Sequence, residues 1–142
     1  MITAYFDGAC YPKNPNGNMG IGAIVYENDK VIHTVSKEIK IGQQGYFQTS
    51  NNVSEYLALI SILEKLIELG YTQEKIDIYG DSQLVIRQMR GDWRVNSGIY
   101  AKQALTAIAL NKKFKKIRYH WIPREQNELA DNLSTAYSYK KY

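Results

Sequence analysis

Four acidic residues occupy positions where a carboxylate could take part in chemistry: Asp7, Glu55, Asp81 and Asp131. Glu55 lies on the apolar stripe of a predicted helix, where a charged carboxylate is costly unless it is paired or holds a cation. Asp81 directly follows a predicted strand, and ligands collect at the carboxyl ends of strands in sheets with helical crossovers. Clustered carboxylates repel one another unless cations neutralise them, and their hard oxygen atoms suit Mg²⁺ or Mn²⁺.

Each acid also has a structural explanation that needs no ligand. Asp7 could end a strand before the turn at Gly8, and Asp81 could cap the helix that follows it. Glu55 would be favoured by the helix dipole if it lay in the first helical turn. Asp131 falls on a polar face of the last predicted helix, where solvent exposure would account for it. Spacing alone does not show that the four acids meet, so both interpretations stay open.

The rest of the sequence predicts the elements that must position these acids. Apolar alternation and turn residues predict strands at 2–8, 20–27, 30–40, 75–80 and 115–123, and helical periodicity predicts helices at 53–70, 81–91, 97–111 and 125–138. A turn at Asn28 and Asp29 joins the second and third strands into a hairpin. We therefore predict an α/β fold with a mixed five-stranded sheet, an antiparallel hairpin meander plus parallel strands, flanked by helices.

Length and composition are those of one globular domain. The chain has 142 residues, 44% of them apolar and 23% charged, so we expect a single domain over residues 1–142. Cys10 is the single cysteine, which excludes an internal disulfide. No apolar run approaches the roughly 18 residues that span a bilayer, and the first residues lack the pattern of a signal peptide. We expect a cytoplasmic monomer without a membrane partner.

Charge is unevenly distributed along the chain. Nine lysines and arginines and a single acid, Asp92, lie between Arg87 and Arg118, which gives this basic block a charge of +8. The remaining residues carry nine bases and thirteen acids, or −4, so the formal net charge is +4. Such a block predicts a surface for a polyanion such as nucleic acid, and a solvated lysine-rich surface is the alternative.

Four segments that contain the acids also carry a resemblance to a known family. "YFDGAC", "TSNNVSEYLALI", "YGDSQLVI" and "NELADNLS" resemble, in this order, the four acidic motifs of type 1 ribonuclease H, the ribonuclease HI family, with intervals of 48, 26 and 50 residues between the acids. The resemblance runs through nearly the whole chain. It implies a ribonuclease H-like fold and Asp7, Glu55, Asp81 and Asp131 as catalytic, metal-binding carboxylates.

The implied activity is hydrolysis of the RNA strand of an RNA–DNA hybrid with two Mg²⁺ ions, Mn²⁺ being possible. One ion would activate a water for in-line attack, and the other would neutralise the leaving 3′ oxygen, which gives 5′-phosphate and 3′-hydroxyl ends.

The same resemblance implies a set of substrate contacts. Gly8, Asn51, Asn52 and Gln83 would contact the hybrid across its minor groove, Asn14 and Thr49 would hold a phosphate of the DNA strand, and Trp93 would pack on a deoxyribose. Amide side chains and a bare glycine backbone can hydrogen-bond 2′-hydroxyl groups, which distinguish RNA from DNA. The basic block would add non-specific, salt-sensitive affinity.

The sequence departs from many family members after the last strand. Those members carry a loop with glycine and histidine there, whereas only "REQNE" stands between Pro123 and "LAD" in this chain. His120 lies inside the strand and is expected to be a structural or surface residue. The chain thus resembles a shorter branch of the family, which also lacks the long basic protrusion, and Arg124, Glu125 and Glu128 are candidates for an auxiliary role in place of that histidine.

Two other functions compete with this one. The first is another nuclease or strand-transfer enzyme on the same fold, against which Asn51, Asn52 and Gln83 argue. The second is a nucleic-acid-binding module without catalysis, against which the presence of all four acids argues.

Overall fold

The computed structural model describes residues 1–138 of the chain. Within that range the strands are β1 (Ile2–Tyr11), β2 (Asn18–Glu27), β3 (Lys30–Ile39), β4 (Lys75–Gly80) and β5 (Lys116–Trp121). The α-helices are α1 (Asn51–Glu68), α2 (Gln83–Met89), α3 (Ala101–Asn111) and α4 (Glu128–Thr135), and a short 3₁₀ helix (Arg124–Gln126) precedes α4. Each predicted strand and helix is present in this range. The predicted ends differ by several residues in β1, α3 and α4.

The strands form one sheet in the order β3-β2-β1-β4-β5. β2 pairs antiparallel with β1 and β3, whereas β4 pairs parallel with β1 and β5. The predicted mixed five-stranded sheet is therefore confirmed. Because β1 and β4 run in the same direction, with Tyr5 opposite Tyr79, the carboxyl end of β4 at Gly80 lies beside the middle of β1, just before Asp7. This arrangement brings the segments around Asp7 and Asp81 together.

Local signals set the turns and helix ends that lead to these segments. Asn28 and Asp29 adopt positive φ angles of 49° and 68° in the hairpin turn, a conformation that Asn and Asp tolerate. The side chain of Ser50 accepts a hydrogen bond from the N–H of Val53 and caps α1, which begins at Asn51. Gly70 follows the helix with a φ of 80°. No helix within residues 1–138 has the length and apolarity needed to cross a membrane.

One face of the sheet packs against α1 and is apolar. Alternate residues of β1 and β4 are fully buried there with one side of α1; they are Ile2, Ala4, Phe6, Ile76, Ile78, Leu59, Ile62, Leu63 and Leu66. Fully burying one such aliphatic or aromatic side chain contributes about 1.5–3 kcal/mol. This packing fixes α1 against β1 and so fixes the two acids that these elements carry.

The opposite face is partly covered by α4, which lies over β1, β2 and β3. Gly20 and Gly22 permit this contact, because a Cβ atom at either position would overlap backbone atoms of α4 at Ser134 or Ala130. The last helix is thereby held close to the sheet, with Asp131 near Asp7 of β1.

Candidate active site

Three of the four predicted carboxylates converge at the carboxyl end of β4, beside the middle of β1. One carboxylate oxygen from each of Asp7, Glu55 and Asp81 lies within 4.8 Å of the other two. Asp7 belongs to β1, Asp81 follows β4, and Glu55 belongs to α1. The chain separates these residues by tens of positions, so the parallel pairing of β1 with β4 and the packing of α1 create the cluster.

Gly8 allows α1 to approach β1 closely enough for this cluster to form. A Cβ atom at Gly8 would overlap the Ser54 hydroxyl and the backbone N of Glu55. Gly8 is thus the point where the strand that carries Asp7 meets the helix that carries Glu55. The packing of α1 on β1 therefore requires glycine at position 8, independently of any contact between its backbone and a substrate.

The three carboxylates lie in an environment that disfavours their charged forms. Burial and, to a smaller extent, the charge of Asp81 raise the pKa of Glu55, a hydrogen bond with Ser82 opposes the rise, and the net pKa is about 8. Burial is the largest cause of a rise in the pKa of Asp7, and together with the charge of Asp81, a hydrogen bond with Asp131 and the charge of Glu55 it raises that pKa to about 8. Burial also raises the pKa of Asp81. These shifts have the cause expected of like charges that share a poorly solvated site.

The structural explanations for Glu55 and Asp81 do not hold. Since α1 begins at Asn51, Glu55 lies beyond the first turn, where the helix dipole favours acids most. The cap of α2 is Ser82, whose side chain accepts a hydrogen bond from the N–H of Val85, so Asp81 is not the capping residue. Helix-end effects therefore do not account for the carboxylates of Glu55 and Asp81, and their shared position in the cluster does.

Asp131 stands at the border of the cluster. Its side chain is 25% exposed, and its Oδ1 lies 3.5 Å from Nη2 of Arg124. A hydrogen bond with the Asp131 side chain contributes to the raised pKa of Asp7. Asp131 therefore contacts one of the three converging acids, while its own ion pair with Arg124 faces solvent.

Asn127 connects the cluster to β1, a role that the sequence did not indicate. This residue is 1% exposed, and its Nδ2 donates to the backbone oxygen of Phe6 at 2.9 Å and to Oδ2 of Asp81 at 3.2 Å. Its Oδ1 is buried without a hydrogen-bond partner among residues 1–138. An Asn just before a helix is typical of an N-cap, yet Asn127 makes no side-chain cap bond. Its amide instead fixes Asp81.

Trp121 is a second residue beside the cluster that the sequence did not single out. Trp121 is the last residue of β5 and pairs with Gly80. Its indole Nε1 donates a hydrogen bond to the backbone oxygen of Asp81 at 3.1 Å. The residue is 43% exposed. Its only sequence signal was an aromatic residue at the end of a strand.

The predicted groove contacts lie at the ends of α1 and α2. Asn51 is exposed, Asn52 is half-buried, and Gln83 is exposed with its Oε1 accepting from Nε of Arg87 at 3.2 Å. The Arg87 guanidinium also lies 5.5 Å from the ring centroid of Trp93, which is 46% exposed. These side chains are accessible from solvent.

The two predicted phosphate contacts differ in their availability. The Oδ1 of Asn14 accepts from the backbone N–H of Asn51 at 3.0 Å, and Asn14 is exposed. Thr49 is fully buried, and its hydroxyl donates to the backbone oxygen of Gly17 at 2.6 Å. The Thr49 hydroxyl is therefore engaged in holding the loop between β1 and β2 against the start of α1.

His120 belongs to a different cluster, on β4 and β5. Its Nε2 lies 2.7 Å from Oδ1 of Asp77, and its ring stacks on Tyr79 with centroids 4.8 Å apart. Arg118 donates from Nε to the same Asp77 oxygen at 3.1 Å. Burial opposes ionisation of Asp77, but hydrogen bonds from His120 and Arg118 outweigh it and lower the Asp77 pKa. These contacts are consistent with the structural role expected of His120.

The converging acids fit a divalent cation. Within residues 1–138, none of the lysine, arginine or histidine ion pairs reaches Asp7, Glu55 or Asp81. Three carboxylates offer the hard oxygen donors that Mg²⁺ and Mn²⁺ prefer, at a spacing that one ion or two neighbouring ions could bridge.

Comparisons with known proteins agree with this geometry. The chain matches the family model described as reverse transcriptase-like over residues 5–137. A ribonuclease HI of Haemophilus influenzae is 32% identical over 148 residues, covering 94% of this chain and 86% of that protein. A bifunctional protein of Mycobacterium tuberculosis is 39% identical over 121 residues, covering 85% of this chain. The chain spans 31% of the length of that mycobacterial relative.

Solved structures extend the agreement to three dimensions. A ribonuclease H1 named LC11, determined in complex with an RNA/DNA hybrid, superposes with a TM-score of 0.82 at 29% identity, over 96% of this chain and 95% of that chain. The fold, the acidic motifs and the similarity to known ribonucleases H agree: the chain belongs to the ribonuclease H family.

Proposed function

We propose that this chain is an endonuclease that hydrolyses the RNA strand of RNA–DNA hybrids. The convergence of Asp7, Glu55 and Asp81 within 4.8 Å is the observation that carries the proposal. Membership of the ribonuclease H family and the likeness to a ribonuclease H1 solved with an RNA/DNA hybrid support it.

Asp7, Glu55, Asp81 and Asp131 would hold two divalent ions, Mg²⁺ or Mn²⁺. When bound, such ions neutralise charge on the reacting phosphate and lower the pKa of water, which suits in-line hydrolysis to 5′-phosphate and 3′-hydroxyl ends. The chain's own contribution is to keep the carboxylates together against their repulsion. Asn127 contributes by donating hydrogen bonds to both the Asp81 carboxylate and the backbone oxygen of Phe6 in β1.

Hybrid recognition would rest on the residues around the carboxylate cluster. Asn51, Asn52 and Gln83 present amide groups that can hydrogen-bond 2′-hydroxyls and base edges, and the backbone of Gly8 would be a further contact. Asn14 and Thr49 would position a phosphate of the DNA strand, Thr49 through the loop that its hydroxyl holds. The exposed ring of Trp93 would pack on a deoxyribose, and the basic block would supply electrostatic attraction.

Arg124, Glu125 and Glu128 are the proposed auxiliary residues. With Asp131 they line a cleft of about 500 Å³ beside the carboxylates. Arg124 also lowers the pKa of Asp81 by its charge, against the larger effect of burial. A cation in this place can contact a phosphate oxygen while its partner Asp131 turns to a metal ion.

A strand-transfer enzyme or other nuclease on the same fold, and a non-catalytic nucleic-acid-binding module, remain the alternatives. A single domain over residues 1–142, a monomeric state and a cytoplasmic location also stay predictions.

The deciding experiment offers the protein three end-labelled duplexes: an RNA–DNA hybrid, duplex RNA and duplex DNA. We expect cleavage of the hybrid's RNA strand with Mg²⁺ or Mn²⁺ and none with EDTA, and product ends that ligase and phosphatase treatment identify as 5′-phosphates. Binding without cleavage would favour the non-catalytic module. Cleavage of duplex DNA in preference to the hybrid would favour another nuclease.

A further inference from the structure

A cleft of about 440 Å³ at the far end of β5 is lined by four cationic side chains. Lys75, Lys115, Lys116 and Arg118 surround it together with Ile117, and we name these four cations the β5-edge patch. The parallel register places Lys75 opposite Lys116. Four positive charges are therefore held on adjacent segments, and like charges so close are favourable only opposite a polyanion or in full solvation.

Arg118 is held in place rather than left to move freely in solvent. Its Nε donates to Asp77, which is only 3% exposed, while the Arg118 side chain is itself 60% exposed. A buried carboxylate thus orients an exposed guanidinium, a planar group whose fork of donors suits phosphate oxygens. A second cleft of about 360 Å³ shares Arg118 and includes Arg90 and His120. The two clefts share Ile117 and Arg118, so they are adjacent along the edge strand, and Arg90 lies in the second cleft at the end of α2.

The lysines of the β5-edge patch are separate from the carboxylate cluster. Lys116 precedes Trp121, the neighbour of Asp81, by five residues of β5, which at 3.3 Å per residue is about 17 Å. That distance corresponds to roughly five base-pair steps of a duplex at 3.4 Å each. The patch is too distant to act on a scissile phosphate, but a duplex that extends beyond the active site can reach it.

We infer that the β5-edge patch is a second binding site for the phosphate backbone of a nucleic-acid duplex, separate from the contacts around the carboxylates. The inference rests on the proposed function only in its choice of an RNA–DNA hybrid as the polyanion. Residues 112–118, the end of the basic block, contain five cations and no acid. The exposed Glu74 precedes Lys75, and Asp77 pairs with Arg118 alone among the four cations of the patch. Regularly spaced phosphates match such a row of charges, and binding would release counterions and depend steeply on salt.

The test compares two variants that remove equal charge. One carries Lys75→Ser, Lys115→Ser and Lys116→Ser in the β5-edge patch. The matched control carries Lys30→Ser, Lys37→Ser and Lys40→Ser, at or just after β3, which is the opposite edge of the sheet. Affinity for a labelled hybrid of about 30 base pairs is measured by fluorescence anisotropy in EDTA, over a range of NaCl concentrations that includes 50 and 200 mM.

We expect the patch variant to bind with a shallower salt dependence. Three lost phosphate contacts reduce the slope of log affinity against log salt by about 2.7, so the affinity lost between 50 and 200 mM NaCl becomes about 40-fold smaller than in the unaltered protein. The control variant should keep the original slope. Under saturating hybrid and Mg²⁺, kcat of the patch variant should equal that of the unaltered protein.

Three results would overturn the inference. Equal slopes for the two variants would mean that the patch is a solvated surface, and a large fall in kcat would mean that it belongs to the catalytic site. Binding to vesicles of anionic lipid is measured for the same two variants. If the patch variant lost vesicle binding but kept the salt slope for the hybrid, the patch would be assigned to membranes instead. If the unaltered protein leaves the hybrid intact, the proposed function fails, and the same slope comparison on duplex DNA still decides whether the patch binds nucleic acid.

Discussion

Asp77 and Asp81 lie four residues apart along the same segment, yet their carboxylates are in opposite electrostatic situations. Asp77 is 3% exposed and has Arg118 and His120 as partners, so its pKa is lowered in spite of burial. Asp81 faces Asp7 and Glu55, and its pKa is raised. Burial is common to both residues, and what differs is the charge of the neighbours. Because Asp7, Glu55 and Asp81 make no ion pair with another residue of 1–138, their cluster is a place where an external cation is expected.

The register of β4 and β5 produces this contrast. Within the paired region β5 places Arg118 opposite Asp77, so that a cationic side chain meets the carboxylate. Asp81 lies one residue beyond the strand pair, where Trp121 offers only an indole N–H to its backbone. Strand β5 thus supplies Arg118 and His120 as partners for the Asp77 carboxylate, but it supplies no cationic partner for the Asp81 carboxylate four residues later.

The largest expected effect is that of Asp7→Asn. Removing a ligand from the carboxylate cluster should lower kcat on the hybrid by about three orders of magnitude, or about 4 kcal/mol of transition-state stabilisation. It should also raise the stability of the metal-free protein, because one of three mutually repelling acids is gone. Cleavage assays and urea denaturation in EDTA measure the two effects, with Glu64→Gln, an exposed acid on α1, as the control. Retained activity would contradict the role given to the cluster.

Metal-free stability should fall as the pH rises, which is the reverse of the usual behaviour of carboxylates. Folding raises the pKa of Asp7 and Glu55 to about 8, so the folded state holds more protons than the unfolded state between about pH 4 and pH 8. Their contribution to stability is full below pH 4 and lost as the pH approaches 8. We expect a loss of several kcal/mol in EDTA, since each unit of pKa shift corresponds to about 1.4 kcal/mol.

Mg²⁺ should restore this stability, and more at pH 8 than at pH 5, because it binds the ionised carboxylates. Thermal melts with EDTA and with Mg²⁺ at both pH values measure the effect. Asp7→Asn should weaken the pH dependence. A metal-free stability that rises from pH 5 to pH 8 would show that the cluster does not hold protons.

The sequence predicted much of the carboxylate cluster but nothing of the Asp77 cluster. Asp7, Glu55 and Asp81 were detectable because an acid on an apolar stripe or at a strand end conflicts with the local pattern, and because their segments resemble known motifs. Asp77 lies among apolar residues of β4, but its partners lie about 40 positions later. Their approach depends on the parallel pairing of β4 and β5, which no local pattern specifies.

The sequence also did not predict which residue caps α2 or which residues hydrogen-bond to the carboxylate cluster. The "DS" pair before α2 suggested Asp81 as the cap, whereas the Ser82 hydroxyl takes that place. Asn127 looked like an ordinary residue of the segment before α4. Its burial against β1 follows from the close approach of α4 to Gly20 and Gly22, which is a tertiary contact. The strands, the helices and the mixed character of the sheet were predictable from periodicity and element order, but side-chain partners between distant elements were not.

Asn127→Ala should weaken the carboxylate cluster without removing a ligand. Loss of the two hydrogen bonds from Nδ2 frees the Asp81 carboxylate from β1, and losing such an orienting partner typically costs 10–100-fold in metal affinity. Calorimetric titration with Mg²⁺ measures this effect, and Gln126→Ala, an exposed neighbour, serves as the control. A variant that is less stable but binds Mg²⁺ with unchanged affinity would limit Asn127 to a structural role.

The smallest effect is expected from Asp77→Asn, and on stability rather than activity. Asn cannot offer a charged acceptor to Arg118 and His120, and the loss of these bonds should cost about 1–2 kcal/mol, limited by the access of water to the exposed guanidinium. The kcat on the hybrid should stay within about twofold, because the cluster does not reach the reacting phosphate.

Urea denaturation and cleavage assays test this prediction, with Asp29→Asn in the exposed hairpin turn as the control. Since the Asp77 pKa is lowered in the folded state, its contribution is present above the ordinary carboxylate pKa of about 4 and is lost as the pH falls further. The stability difference between the unaltered protein and Asp77→Asn should therefore disappear in acid, whereas the effect of Asp7→Asn on metal-free stability should grow towards pH 8. If both variants followed the same pH dependence, the contrast between the two clusters would be false.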